Sequence, residues 1–170
     1  MIPQIKKILY ATDLSKNSAY AYFYAVDMAE KNNAGIVILH TIEPVRHGLY
    51  SEGGIGIGIE NALKQAKKQE REMDIEEIKK GVREFCGKME SRIGSSCVNL
   101  VTEVLVPVGH PVEEILKVAD DEGCDVIVMG THGKGFLRPT FLGSVACSVL
   151  ERTRKPVFTI PLPSEKMNID

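Results

Sequence analysis

Two glycine turns and one acidic strand end are where this sequence can do chemistry. From Asp125 to Leu150 the chain reads DVIVMG, THG, KGFLRPTFL, GSVACSVL. The four apolar residues Val126 to Met129 make a short buried strand. Gly130 and Gly133 close it with backbone that can approach a ligand to contact distance. After nine intervening residues, Gly143 and Ser144 open an apolar helical segment. A helix start presents unpaired N–H groups and a positive dipole end, and a phosphate is the commonest group to settle there. The Ser144 hydroxyl adds a donor, and Lys134 and Arg138 place positive charge between the turns.

Each of these residues also has a plainer use. Gly130 and Gly133 make a tight turn, Gly143 and Ser144 cap a helix, and Asp13 serves as well for capping as for ligand contact. His132 reads as a turn residue with its ring at the surface, and His40, in an apolar strand, as a satisfied core histidine. The run GGIGIG at 53–58 lacks a preceding strand and the G-x-G-x-x-G spacing, so no dinucleotide fingerprint is present. The P-loop lysine pattern is absent too. Cysteines at 86, 97, 124 and 147 form no C-x-x-C pair and the four histidines are dispersed, which argues for reduced structural thiols rather than a zinc site.

The elements that must position the turns follow from periodicity. Ile5–Thr12, Gly35–Ile42, a segment within Val98–Val108, Val126–Met129 and Val157–Ile160 are short and largely apolar, as parallel strands buried on both faces are. Helices are expected at about 18–31, with Ser15 and Asn17 as candidate caps, at about 61–92, from Pro111 to Glu122–Gly123, and after Gly143. In the first helix Ala19, Phe23, Val26, Tyr20, Tyr24 and Met28 give a wide apolar face. In the second, a thin stripe (Leu63, Ala66, Met73) gives way to a steadier one (Ile78, Val82, Phe85, Met89), with Gly81 and Gly87 expected to weaken, break or bend it. Val112, Ile115, Leu116 and Ala119 line the third. Residues 45–60 read as a long glycine-rich loop, and the tail at 164–170 as loose. Strands alternating with helices imply one α/β domain over residues 1–163, with a five-stranded parallel sheet and helices on both faces. Strand order 3-2-1-4-5 puts a switch point between the first and fourth strands, where ligands bind. Thr12-Asp13 and Met129-Gly130 meet there.

The spacing Gly130-x2-Gly133-x9-Gly143-Ser144 resembles the glycine signature of the nucleotide-binding branch of the universal stress protein family. KKILYATDLS, GIVILHTIEP, GHPVEEIL and KPVFTI are similar to that family's segments, in the same order, over about residues 5–162; residues 46–60 and the helix after them are where such proteins vary. The resemblance implies a Rossmann-like fold and an adenine-nucleotide site for ATP or AMP. Thr12 and Asp13 would lie near ribose and phosphates, Asp13 assisting a divalent cation such as Mg2+ or Mn2+. Thr41 would pack beside adenine. Met129 and Gly130 would line the ribose edge. Gly133, Gly143, Ser144 and Val145 would hold the phosphates, with Lys134 adding charge beside them. Ala11 joins the set by position, with no role attached to its side chain.

Net charge is −2 over 170 residues, so no broad basic field argues for nucleic acid. No apolar run is long enough for a membrane span, and MIPQIKKILYATD lacks a signal-peptide pattern; a cytoplasmic protein is the expectation. No general base, partnered nucleophile or metal cluster stands out, so any hydrolysis is expected to be slow. The leading reading is an adenine-nucleotide-binding stress-response regulator. The alternatives are a slow ATPase or adenylyl-transfer enzyme using the same site, and a ligand-independent dimeric interaction module. A homodimer joined along strand 156–161, whose Val157, Phe158 and Ile160 would form an apolar edge, is expected and is implied by the resemblance as well.

Overall fold

A computed structural model describes residues 2–44, 72, 75–89, 91, 99–132 and 142–161. The 45–60 loop, the stripe at Leu63, Ala66 and Met73, Cys97, Gly133, Lys134, Arg138 and the 164–170 tail lie outside the described residues.

Five strands, β1 (Lys7–Ala11), β2 (Gly35–Leu39), β3 (Val101–Leu105), β4 (Val126–Gly130) and β5 (Val157–Ile160), form one parallel sheet in the order β3-β2-β1-β4-β5. β1 is central, with Ala11 opposite both Leu39 and Met129. Its residues Ile8, Leu9 and Tyr10 are fully buried, each side chain contributing about 1.5–3 kcal/mol by leaving water. Burial on both faces is why the run does not alternate. Asp125 anchors the other end of the sheet, where one carboxylate oxygen accepts from the backbone N–H groups of Lys6 and Lys7 at 2.7 and 2.9 Å.

Helices α1 (Lys16–Asn32) and α2 (75–89) cover one face. Ile8, Tyr10, Ile36, Ile38, Val126 and Val128 point to that side and meet Tyr22, Val26, Val82 and Met89. Helices α3 (Pro111–Asp121) and α4 (Ser144–Arg152) cover the other, where Leu9, Val37, Leu39, Ile127 and Met129 pack on Ile115, Ala119 and Val149. Arg152 clasps Glu113 with two hydrogen bonds of 2.6 and 3.0 Å and ties α4 to α3.

Several sequence expectations shift. Ser15 alone caps α1, accepting from the N–H of Ser18, while Asn17 lies inside the helix. The buried face of α1 is Ala19, Ala21, Tyr22, Ala25, Val26 and Ala29. Tyr24 is exposed, Tyr20 and Phe23 are half-buried, and the hydroxyls of Tyr20 and Tyr24 meet at 3.1 Å along the helix edge. Alanines bring a helix closer to a sheet than large aromatics can, so the small residues take the centre. α2 runs unbroken through Gly81 and Gly87, where an added Cβ would meet nothing within 4 Å; its stripe of Ile78, Val82, Phe85 and Met89 packs as expected. In α3 Val118 is buried in place of Leu116, which is half-buried. Gly123 ends that helix in the left-handed region, at φ +61°.

Candidate functional site at the carboxyl ends of β1 and β4

The chain leaves β1 through a tight polar turn. Thr12 is buried, and its N–H donates to Leu39 O at 2.9 Å. Its hydroxyl donates to Ser18 Oγ at 2.9 Å and accepts from Leu14 N–H at 3.0 Å. Ser18 Oγ passes the chain on to Ser15 O at 2.9 Å. Asp13 is half-buried and closes an Asx turn, its Oδ1 accepting from Ser15 N–H at 3.0 Å. Leu14 sits at φ 61°, a left-handed conformation costing a non-glycine residue about 1 kcal/mol or more. The Thr12 hydroxyl bond holds it there.

β2 supports this turn from the side. Nδ1 of His40 lies 2.9 Å from Thr12 O; a carbonyl only accepts, so Nδ1 carries the proton. The histidine is satisfied as expected, though half-buried rather than in the core. Thr41, half-buried, follows it at the carboxyl end of β2.

β4 ends in the first glycine turn. Met129 is buried on the α3/α4 face, Gly130 pairs with Ile160, and the buried Thr131 donates its N–H to Ile160 O at 3.0 Å. Thr131 O accepts from Gly143 N–H at 2.7 Å. A Cβ on Gly143 would stand 3.0 Å from that oxygen. The two glycine segments therefore meet directly. Thr131 Oγ1 is also 2.9 Å from His132 Nδ1, so the half-buried ring is engaged with its neighbour rather than free at the surface.

α4 starts at this junction. Gly143 is its N-cap and contributes no side-chain cap, which leaves the first N–H groups without the usual local acceptor. Ser144 is exposed, whereas Val145 packs against the sheet face, so Val145 could offer a ligand only its backbone. Among the described residues the structure thus gathers Ala11, Thr12, Asp13, Met129, Gly130, Gly143, Ser144 and Val145 around the ends of β1 and β4, with Thr41 beyond β2; Gly133 and Lys134 lie outside them. Sequence reasoning missed Thr131, which joins the two turns, and Asn17, whose Nδ2 donates to His132 O at 2.6 Å. The signal for Asn17 was its place at i and i+4 with Ala21 and i+8 with Ala25, on the helix face that is buried.

No group of three or more metal-binding side chains occurs among the described residues. The thiol of Cys124 is pushed up to about 11 by burial, which suits a packing role and not a nucleophile.

Residues 4–161 match the profile of the Universal stress protein family. The chain belongs to that family. Universal stress protein MJ0577 of Methanocaldococcus jannaschii is 32% identical over 165 residues, covering 91% of this chain and 94% of the relative. Universal stress protein MJ0531 of the same organism is 29% identical over 162 residues, covering 95% and 85%. The solved structure of MJ0577 superposes with a TM-score of 0.67 at 27% identity, covering 96% of this chain and all 100% of that one. A universal stress protein in complex with cAMP aligns with a TM-score of 0.57 at 19% identity, covering 95% and 100%. Another, from Archaeoglobus fulgidus in complex with dAMP, gives 0.54 at 20%, covering 94% and 99%. At those identities the last two show the shared fold. The resemblance carried by the glycine spacing is borne out, as is the strand order. No described helix of this universal stress protein is long and apolar enough to cross a membrane.

Proposed function

We propose that this universal stress protein is a regulator that holds ATP or AMP at the carboxyl ends of β1 and β4. The observation that carries the reading is the 2.7 Å bond from Gly143 N–H to Thr131 O. It fixes the start of α4, whose N-cap glycine offers no side-chain acceptor, beside the glycine turn that follows β4. An anion there meets a positive dipole end and donors from Ser144 and Val145. In this reading Thr12 and Asp13 face the ribose and phosphates, Ala11 borders them through its backbone, Met129 and Gly130 line the ribose edge, and Thr41 lies beside adenine. Gly133 and Lys134 complete the phosphate side. Family members of this fold in complex with cAMP and dAMP support the choice of adenine.

A divalent cation fits only as the nucleotide's companion. Asp13 is a single carboxylate already accepting one backbone N–H, and Mg2+ is commonly held by one or two carboxylates together with substrate phosphates. Asp13 would supply that one ligand, and Mg2+ or Mn2+ would neutralise phosphate charge. Calorimetry with ATP, AMP and GTP tests the proposal. Adenine nucleotides should bind with Asp13→Ala weakening the magnesium-dependent part; absence of any adenine-nucleotide binding at millimolar concentration overturns it.

The second part of the proposal is a homodimer through residues 156–161. β5 is an edge strand whose Phe158 is 46% exposed, and an uncovered apolar edge invites pairing. Ile160 does not contribute to that edge as expected, because it is buried against the α1 side. Phe158→Lys should halve the mass measured by light scattering. A dimeric mass retained in the variant means that the subunits join elsewhere.

A further inference from the structure

α1 begins with a polar side chain in an apolar setting. Asn17 is 4% exposed, on the same helical face as the fully buried Ala21 and Ala25. Its Nδ2 donates to His132 O at 2.6 Å, while its Oδ1 is buried with no hydrogen-bond partner among the described residues. A flipped amide is excluded, since it would set Oδ1 against the His132 oxygen, acceptor against acceptor. The carboxamide packs against Gly130, where a Cβ would stand 2.9 Å from Nδ2 and 3.1 Å from Cγ. For stability alone the orphaned oxygen offsets part of what the Nδ2 bond contributes, and alanine would suit the helix better. What Asn17 does secure is one atom, His132 O, and with it the chain as it leaves β4 against the first turn of α1.

From this we infer that Asn17 is a positioning residue for the nucleotide site, and that Gly130 lacks a side chain in order to seat the Asn17 carboxamide. The ligand half of the inference rests on the nucleotide reading above; the latch between Asn17 and Gly130 stands on geometry alone. Asn17 touches no ligand in this account. It acts by fixing where the glycine turn sits relative to Thr12 and to the start of α4.

A double-mutant cycle on the full chain, read in two ways, tests it. In urea unfolding, Gly130→Ala should be destabilising alone and nearly neutral once Asn17→Ala has cleared the space. Equal costs in both backgrounds overturn the latch. If Gly130→Ala does not fold, recovery of folded protein in the double variant is the expected result, and failure of both overturns the latch as well. In calorimetry, Asn17→Ala should weaken AMP binding about tenfold, the scale of one lost hydrogen bond's positioning, at a temperature and urea concentration where the variant is fully folded. Asn17→Asp, which keeps the shape and loses the donor, should weaken it at least as much. Unchanged AMP affinity in both variants overturns the positioning role. A parent protein that binds neither AMP nor ATP sinks the nucleotide reading and the positioning role together, while the unfolding cycle still decides the latch.

Discussion

Gly143→Val is expected to remove adenine-nucleotide binding beyond calorimetric detection, a loss of about 100-fold or more, equivalent to about 2.7 kcal/mol. The backbone at Gly143 has φ −63° and ψ 157°, a conformation open to any residue, so the effect is one of space. A Cβ there would already stand 3.0 Å from Thr131 O and 3.5 Å from His132 Cα. Thr131 cannot yield readily: its N–H is tied to Ile160 O at 3.0 Å and its O to Gly143 N–H at 2.7 Å. The γ-carbons of valine would push the start of α4 away from β4, at an overpacking cost of about 1–3 kcal/mol. Folding should survive, because Ala146 and Val149 still bury against the sheet. Gly143→Ala should fall between, with weakened but measurable binding. Urea unfolding and calorimetry on the same samples separate the two effects. Full nucleotide affinity in folded Gly143→Val would show that the α4 start is not the phosphate's seat.

This mechanism differs from the one that a glycine in a sequence suggests. Glycine says that a side chain does not fit; it does not say whose atoms exclude it. From spacing alone, Gly130 and Gly143 read as room for a ligand. In the fold a Cβ on Gly130 meets Asn17, and a Cβ on Gly143 meets the Thr131 carbonyl. Both glycines let protein segments touch, and the site is a consequence of that contact. The architecture was legible for a firmer reason. Apolar runs without alternation mark strands buried on both faces, and right-handed crossovers leave few ways to order five of them. Capping at Ser15 and the stop at Gly123 were legible because cap chemistry is local. The buried face of α1 was not. With Tyr20, Tyr22, Phe23 and Tyr24 in one stretch, apolar periodicity has no single phase, and only contact with the sheet decides that Tyr22 goes in with Ala21 and Ala25 while Tyr24 stays out. Thr131 escaped for the opposite reason: its role is made by backbone atoms, which no residue type announces.

The polar turn after β1 hangs from Tyr10, and its chemistry gives a pH-dependent stability. The Tyr10 ring is fully buried, 5.1 Å from that of Tyr22, and its hydroxyl donates to Ser18 O, beside the Thr12–Ser18 bond. Burial pushes the Tyr10 hydroxyl well above the usual tyrosine range. For an acid whose folded-state value is raised, stability is complete below the unfolded value, about 10. Above it the unfolded chain ionises and the folded chain does not, so stability falls by about 1.4 kcal/mol per pH unit from this group. Tyr10→Phe removes that slope and leaves Ser18 O without its donor, at a cost of about 1–3 kcal/mol. At pH 8 the variant should therefore unfold at lower urea than the parent. Between pH 10 and 11 the gap should close by about 1 kcal/mol, approaching about 1.4 kcal/mol for each further pH unit, and it should keep narrowing until the order reverses. Comparing the two proteins pH by pH cancels the alkaline titration of lysines common to both. A gap that stays constant from pH 8 to pH 11 would mean that the Tyr10 hydroxyl titrates normally in the folded protein, and that the wall behind Thr12 is not sealed from water.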